Sequence, residues 1–220
     1  MHLRLSHTHE EQSILNILLK MVRFGYETAG TAGGQNIDDR ITGSVFTSGG
    51  DGTGDSITVY ISTRNTADKW KCAIYLHSDL SLIGVTEEKT VVVAGAWNIF
   101  NFVGSPTILA TTDYVLVCWA ERNAPAEPKM QYDGGDGTVQ GHYQAINYTG
   151  TFPNNMTVTH EDRKYSIYCD YTAAPSGTNM QVNVGDAWKD VASMQVNIGD
   201  TWKAVAGAQV NIGDTWKTIF

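Results

Sequence analysis

Between Phe24 and Thr172 the chain is a succession of short segments in which apolar and polar residues alternate, separated by clusters of glycine, asparagine and aspartate. A period of two puts every second side chain on the same face of an extended chain, so such segments fold as strands with one buried face. The segments are Ile41–Phe46, Ile57–Ser62, Trp70–His77, Thr90–Val93, Trp97–Val103, Tyr114–Trp119, His142–Tyr148, Met156–His160 and Tyr165–Tyr171. Short strands in close succession, with turn residues between them, predict an antiparallel sandwich or barrel. Ile57, Val59 and Ile61 make one apolar face while Thr58, Tyr60 and Ser62 look the other way, as in a sheet covered on one side. Tyr114–Trp119 is apolar on both phases, which predicts a central strand covered on both faces.

Composition supports an all-β reading: 22 glycines, only 5 prolines and 17% charged residues. The formal charge is −8 and lysines and arginines nowhere cluster. Nothing is therefore gathered to neutralise phosphates or anionic lipid, and neither nucleic acid nor a membrane surface is an expected partner. Cys72 and Cys169 sit on the apolar phase of their segments and read as small buried hydrophobes, with no disulfide framework implied.

Residues 1–23 differ in pattern from the rest of the chain. Ile14, Ile17, Leu18 and Met21 stand at helical spacing behind Glu10 and Glu11, which predicts a short helix, or else a tether ahead of a second candidate start at Met21. The apolar run Ile14–Val22 is broken by Asn16 and Lys20 and is too short to cross a bilayer. The segment lacks the basic lead and small-residue cleavage site of a secretory signal, so export through a cleaved signal is not expected. The sandwich is expected over 24–173, a linker over 174–179 and a repeated tail over 180–220.

The tail repeats with a period of 14 residues: Gly185, Gly199 and Gly213; Asp186, Asp200 and Asp214; Trp188, Trp202 and Trp216. Each "VNIGDTWK" phrase predicts a β-hairpin, because glycine supplies the positive φ that a tight turn requires. Two registers are open. A three-residue Gly-Asp-Thr loop pairs Ile198 with Trp202, whereas a two-residue turn puts Trp202 on the side of Asn197. A lone hairpin is marginal in water, so these units are expected to stack, with the tryptophans in the stack or, alternatively, exposed to sugar rings.

Two resemblances can be named. Ala73–Tyr75 with Ser78 and Asp79, Thr86 and Glu87, Trp97 with Phe100 and Phe102, Pro106 with Leu109, and Tyr114 with Leu116 resemble the motif series of jelly-roll modules. Such modules are found beside carbohydrate-active enzymes and in surface or virion proteins, and they often hold calcium. The repeats Gln181–Lys189, Gln195–Lys203 and Gln209–Lys217 are similar to those ending tailed-phage virion proteins, including tail and fibre components. The resemblances imply a jelly-roll sandwich with a hairpin-repeat tail.

Candidate site residues are set by chemistry and position. Trp70, Trp97, Tyr132 and Tyr143 are aromatics able to line a sugar cleft, the last two flanking a glycine-rich loop. The "GGDGT" phrases at Gly49–Thr53 and Gly134–Thr138 are oxygen-rich, and Asp51, Asp55, Asp133 and Asp136 are the candidate calcium ligands. His7–His9 and His160–Asp162 invite metal or acid–base roles, the latter also reading as the polar end of a strand and its turn. No nucleophile-elbow, zinc-protease or phosphate-loop motif occurs, and catalysis is not expected. The reading is an adhesive, structural virion protein, assembled in the host cytoplasm, that forms homo-oligomers through its tail and meets a glycan or another virion protein. A carbohydrate-binding module of a cell-surface protein or enzyme complex is the alternative, and a glycan-cleaving enzyme on the same fold is a third reading.

Overall fold

The computed structural model describes residues 21–64, 68–122, 127–134, 137 and 139–174, together with the backbone of six short strands between 181 and 218. In chain order the strands are β1 (Met21–Gly25), β2 (Ala32–Asn36), β3 (Arg40–Thr47), β4 (Gly52–Thr63) and β5 (Trp70–Leu76). Next come β6 (Leu82–Val85), β7 (Ala96–Asn101), β8 (Thr107–Ile108), β9 (Asp113–Ala120) and β10 (Lys129–Gly134). The last of this unit are β11 (Gly141–Ala145), β12 (Thr159–Glu161), β13 (Arg163–Tyr165) and β14 (Ile167–Ala173). The protein is all-β, and these strands form two antiparallel sheets in a sandwich-like arrangement.

The first sheet runs β1-β14-β4-β10-β13, with β7 and β8 also on β4 and β2 on β10; the second runs β12-β11-β3-β9-β5-β6. Strand β4 serves several neighbours because it is 12 residues long. Gly52 to Val59 pair with β14, Ser56 to Ile61 with β7, and the end of the strand, at Ile61 and Thr63, with β10. Both sheets contribute to one core: Ile57, Val59, Phe100, Ile167 and Cys169 from the first, Trp70, Cys72, Ile74, Leu116 and Cys118 from the second. Each large apolar side chain buried there contributes roughly 1.5–3 kcal/mol before the entropy of ordering it is subtracted.

Strand β9 lies between β3 and β5 and is buried on both faces. Tyr114, Leu116 and Cys118 enter the core between the sheets, while Val115, Val117 and Trp119 join a second cluster on the outer side. That outer cluster is covered by the irregular segment 146–158, which lays Phe152 on Trp119 and Tyr75 and adds Met156 to the cluster. Hydrogen bonds pin the cover: Trp119 Nε1 donates to the Ile146 carbonyl at 3.2 Å and Tyr75 Oη to the Pro153 carbonyl at 2.9 Å.

Several expected strands are altered: His142–Tyr148 is strand only as far as Ala145, and Tyr165–Tyr171 is divided at Ser166 between β13 and β14. Thr90–Val93 is not a strand, because the Asn98 side-chain amide bonds both the N–H and the carbonyl of Val93 and so replaces a strand neighbour. Val91 and Val93 are left exposed. Met156–His160 is strand only from Thr159, since Met156 belongs to the cover. Strand β1 takes in Met21, Val22 and Arg23, which lie inside the segment set apart by its helical spacing. Of the short helix expected within residues 1–23, Met21 to Arg23 are strand instead, and residues 1–20 lie outside the described residues.

Residue contacts divide the chain into two units, Met1–Ala174 and Pro175–Phe220. Among its described residues the second unit has three two-stranded ladders: β15 (Gln181–Asn183) with β16 (Trp188–Asp190), β17 (Gln195–Ile198) with β18 (Thr201–Ala204), and β19 (Gln209–Ile212) with β20 (Thr215–Thr218). Of the two registers, the backbone adopts the one that pairs Ile198 with Thr201 and Asn197 with Trp202. Two residues, Gly199 and Asp200, are left between the paired ends. Gly185, Gly199 and Gly213, and the side chains of Trp188, Trp202 and Trp216, lie outside the described residues.

Candidate functional site

The outer face of the first sheet carries a row of aromatic side chains on its solvent phase. Tyr60 on β4 stands opposite Trp97 on β7 in the ladder, and their rings meet edge to face at 5.4 Å. Trp97 also meets Tyr168 of β14, with ring centroids 5.2 Å apart. All three are partly exposed, whereas Ile57, Val59 and Phe100, on the opposite phase of their strands, are fully buried. Ile99, two residues beyond Trp97 on the same phase, is 54% exposed and extends the apolar surface.

Charge borders this row at β1. The Arg23 guanidinium lies 4.7 Å over the Tyr168 ring, donates to Asp170 at 2.9 Å and pairs with Glu27 at 2.8 Å. The hydrogen bond to Glu27, and then the charge of Asp170, hold the guanidinium pKa above its ordinary value against the opposing effect of burial. Gly25 is what lets β1 close on Tyr168: its φ is +132°, and an added Cβ would stand 2.4 Å from the Tyr168 Cα. Partly exposed aromatic faces beside an arginine and hydroxyl groups are suited to the C–H faces and hydroxyls of a sugar ring.

The expected aromatic residues divide three ways. Trp97 is at the centre of the row. Trp70 requires a correction: it is fully buried between the sheets, on the phase of Cys72 and Ile74, and has no face to offer a ligand. Tyr132 and Tyr143 are half-buried, and each lies under an arginine, Arg163 Cζ at 4.7 Å from the Tyr132 centroid and Arg40 Cζ at 3.4 Å from that of Tyr143. Glu161 joins the two arginines, accepting from Arg40 at 3.0 Å and from Arg163 at 2.9 Å, and it also takes the Tyr165 hydroxyl at 2.6 Å. Tyr132 and Tyr143 thus belong to a polar cluster that ties the sheets together.

The candidate calcium ligands hold the chain rather than one another. Asp51 accepts from the Ala110 amide at 2.7 Å, and Asp55 from the Thr172 hydroxyl at 2.9 Å. Asp133 accepts from the amide and hydroxyl of Thr31 and from the Tyr26 hydroxyl. The Thr31 amide, followed by Tyr26, keeps the Asp133 carboxyl below the ordinary carboxylate range. Asp136 lies outside the described residues. Among the described residues no group of three or more histidine, cysteine or acidic side chains is placed to hold a metal ion. The three cysteines are buried and free.

Tyr60 and Tyr168 were not among the residues expected from sequence. Their signal is present, since Tyr60 lies on the polar phase of Ile57–Ser62, but which polar phases share one surface depends on strand order. His77 and His142 carry no such signal; they meet only because β5 and β11 belong to one sheet. Among the described residues no helix is long and apolar enough to cross a membrane. Comparison with protein-family models gives no match, and comparison with curated proteins gives none either.

Proposed function

We propose that the protein is a non-enzymatic adhesive component of a virion, in which the sandwich-like unit binds glycan through the Tyr60–Trp97–Tyr168 face and the hairpin repeats mediate homo-oligomeric assembly. The observation that carries the glycan reading is the alignment of three partly exposed aromatic rings on adjacent strands, bordered by Arg23. The virion setting rests on the wording of the repeats, which resembles that of phage tail and fibre termini. The same face would serve a carbohydrate-binding module at a cell surface.

A jelly-roll fold is part of this proposal. The orders β1-β14-β4-β7 and β3-β9-β5-β6 favour it, because they interleave early and late strands in both sheets as two Greek keys do. The test of function is glycan-array binding by the intact chain and by Trp97→Ala. Binding by the intact chain that the variant loses at least tenfold supports the reading, and binding to no glycan, or undiminished binding by the variant, refutes it.

A further inference from the structure

Three histidine rings from three strands of the second sheet, or their ends, form a continuous row on its outer face. His142 on β11 is directly opposite His160 on β12, and their ring centroids are 4.5 Å apart at 86°. On its other side the His142 ring meets His77, just past the end of β5, at 5.3 Å and 80°. The space is made at β3, where the residue opposite His142 is Gly43 and no side chain intervenes. Here the apolar cover of the sheet gives out. A cleft of ≈ 440 Å³ opens, lined by Val45, Thr47, His77, Asp113, Gln140 and His142.

His142 is the group under constraint. It is 2% exposed, and its Nδ1 lies 3.2 Å from the Gln140 carbonyl, which only accepts. Nδ1 therefore carries the proton, and Nε2 is a lone pair that is buried without any partner. A neutral ring tolerates that arrangement, but an imidazolium there would bury an N–H without an acceptor, between two further imidazoles.

Nearby charges do not relieve it. Asp113 on β9 lines the cleft, and its carboxylate takes the Thr47 hydroxyl. Glu161 on β12 alternates with His160 and so lies on the other face, where Arg40 of β3 and Arg163 of β13 hold it. Asp162, beyond β12, accepts from the Gly137 amide. Burial, and then His160 and His77, keep the His142 pKa below that of an ordinary histidine, although the Gln140 carbonyl acts in the opposite direction.

We propose that the His77–His142–His160 row is a proton-operated latch: neutral, it seats β12 on β11 at the edge of the second sheet, and protonation of His142 releases that edge while the inner strands stay folded. The sign is fixed by the direction of the shift. A depressed folded pKa means that the neutral ring's contribution is complete above the ordinary histidine value of 6.5 and is lost as pH falls below it. Edge strand β12 is the element that gives way, since among the described residues β11 is its one strand partner, through three residues.

The experiment is amide hydrogen exchange on the full chain between pH 7.5 and 5, corrected for the intrinsic rate, for the native chain, His142→Gln and the double variant His77→Gln/His160→Gln. In the native chain, exchange at 141–145 and 159–161 rises below pH 6.5 by up to about tenfold per pH unit, the limit for one coupled proton, while β5 and β9 stay protected. His142→Gln removes the rise. The double variant, which keeps His142 but not its neighbours, brings the folded pKa of His142 closer to the ordinary value, so its rise levels off at a higher pH and is smaller in total; it remains decisive if His142→Gln fails to fold. A flat native profile, a rise shared equally by β5 and β9, or a rise in the double variant as large as the native one overturns the proposal.

Discussion

Trp97 and Tyr168 hold their rings 5.2 Å apart, though their strands, β7 and β14, do not pair with each other. Both pair with β4, on opposite sides, and Thr58 sits between them: it is opposite Ile99 in one ladder and Tyr168 in the other. Thr58 is buried under this surface, so the aromatic rings lie on a packed base. Because the rings lie outside the core clusters, Trp97→Ala and Tyr168→Ala are expected to weaken glycan binding at least tenfold each, about 1.4 kcal/mol, with little change in stability. Parallel binding and urea-unfolding measurements distinguish lost contact from lost fold.

Glu161 is the acceptor shared by Arg40, Arg163 and Tyr165, and its side chain is 14% exposed. Removing it leaves two partly buried guanidinium groups facing each other without their common counter-charge. Glu161→Gln is therefore expected to destabilise the protein by about 2–3 kcal/mol, a lower urea midpoint at unchanged slope being the readout. An unchanged midpoint would show that water satisfies both arginines.

Gly43 approaches β9 so closely that an added Cβ would lie 1.7 Å from the Leu116 carbonyl oxygen and 2.8 Å from the Val117 Cα. Backbone cannot give way as a flexible side chain does. Gly43→Ala is expected to cost more than about 2 kcal/mol or to abolish folding. Gly33→Ala, with nothing within 4 Å of the new carbon, should be close to neutral in the same thermal-unfolding assay.

Asp133 staples β10 to the segment around Thr31 and to Tyr26, and those hydrogen bonds favour its ionised form. A lowered folded pKa gives stability that is present above the ordinary carboxylate value of about 4 and is lost as pH falls through the folded one. Asp133→Asn is thus expected to flatten the acid side of the stability–pH profile below about pH 4, as followed by circular dichroism. A profile as steep as that of the native chain would assign acid unfolding to other carboxylates.

Alternation made the strand character legible, along with the double burial of β9, because each depends on residues close in sequence. Thr90–Val93 misled for a reason outside the segment, since Asn98 occupies the backbone groups a strand neighbour would have used. Short strands such as β8, with two residues, carry too little pattern to be read.

By itself the sequence determined that this protein is built of strands, which face of most of them is apolar, and that its tail repeats with a period of 14 residues. The pleat and the turn residues impose these locally. Only the tertiary structure decided which faces meet: it buried Trp70, put Arg40 and Arg163 over Tyr143 and Tyr132, gathered Tyr60, Trp97 and Tyr168 on one surface and stacked His77, His142 and His160 in a row. Strand order and register create those neighbours, and they come from burying two sheets against a common core rather than from any spacing along the chain.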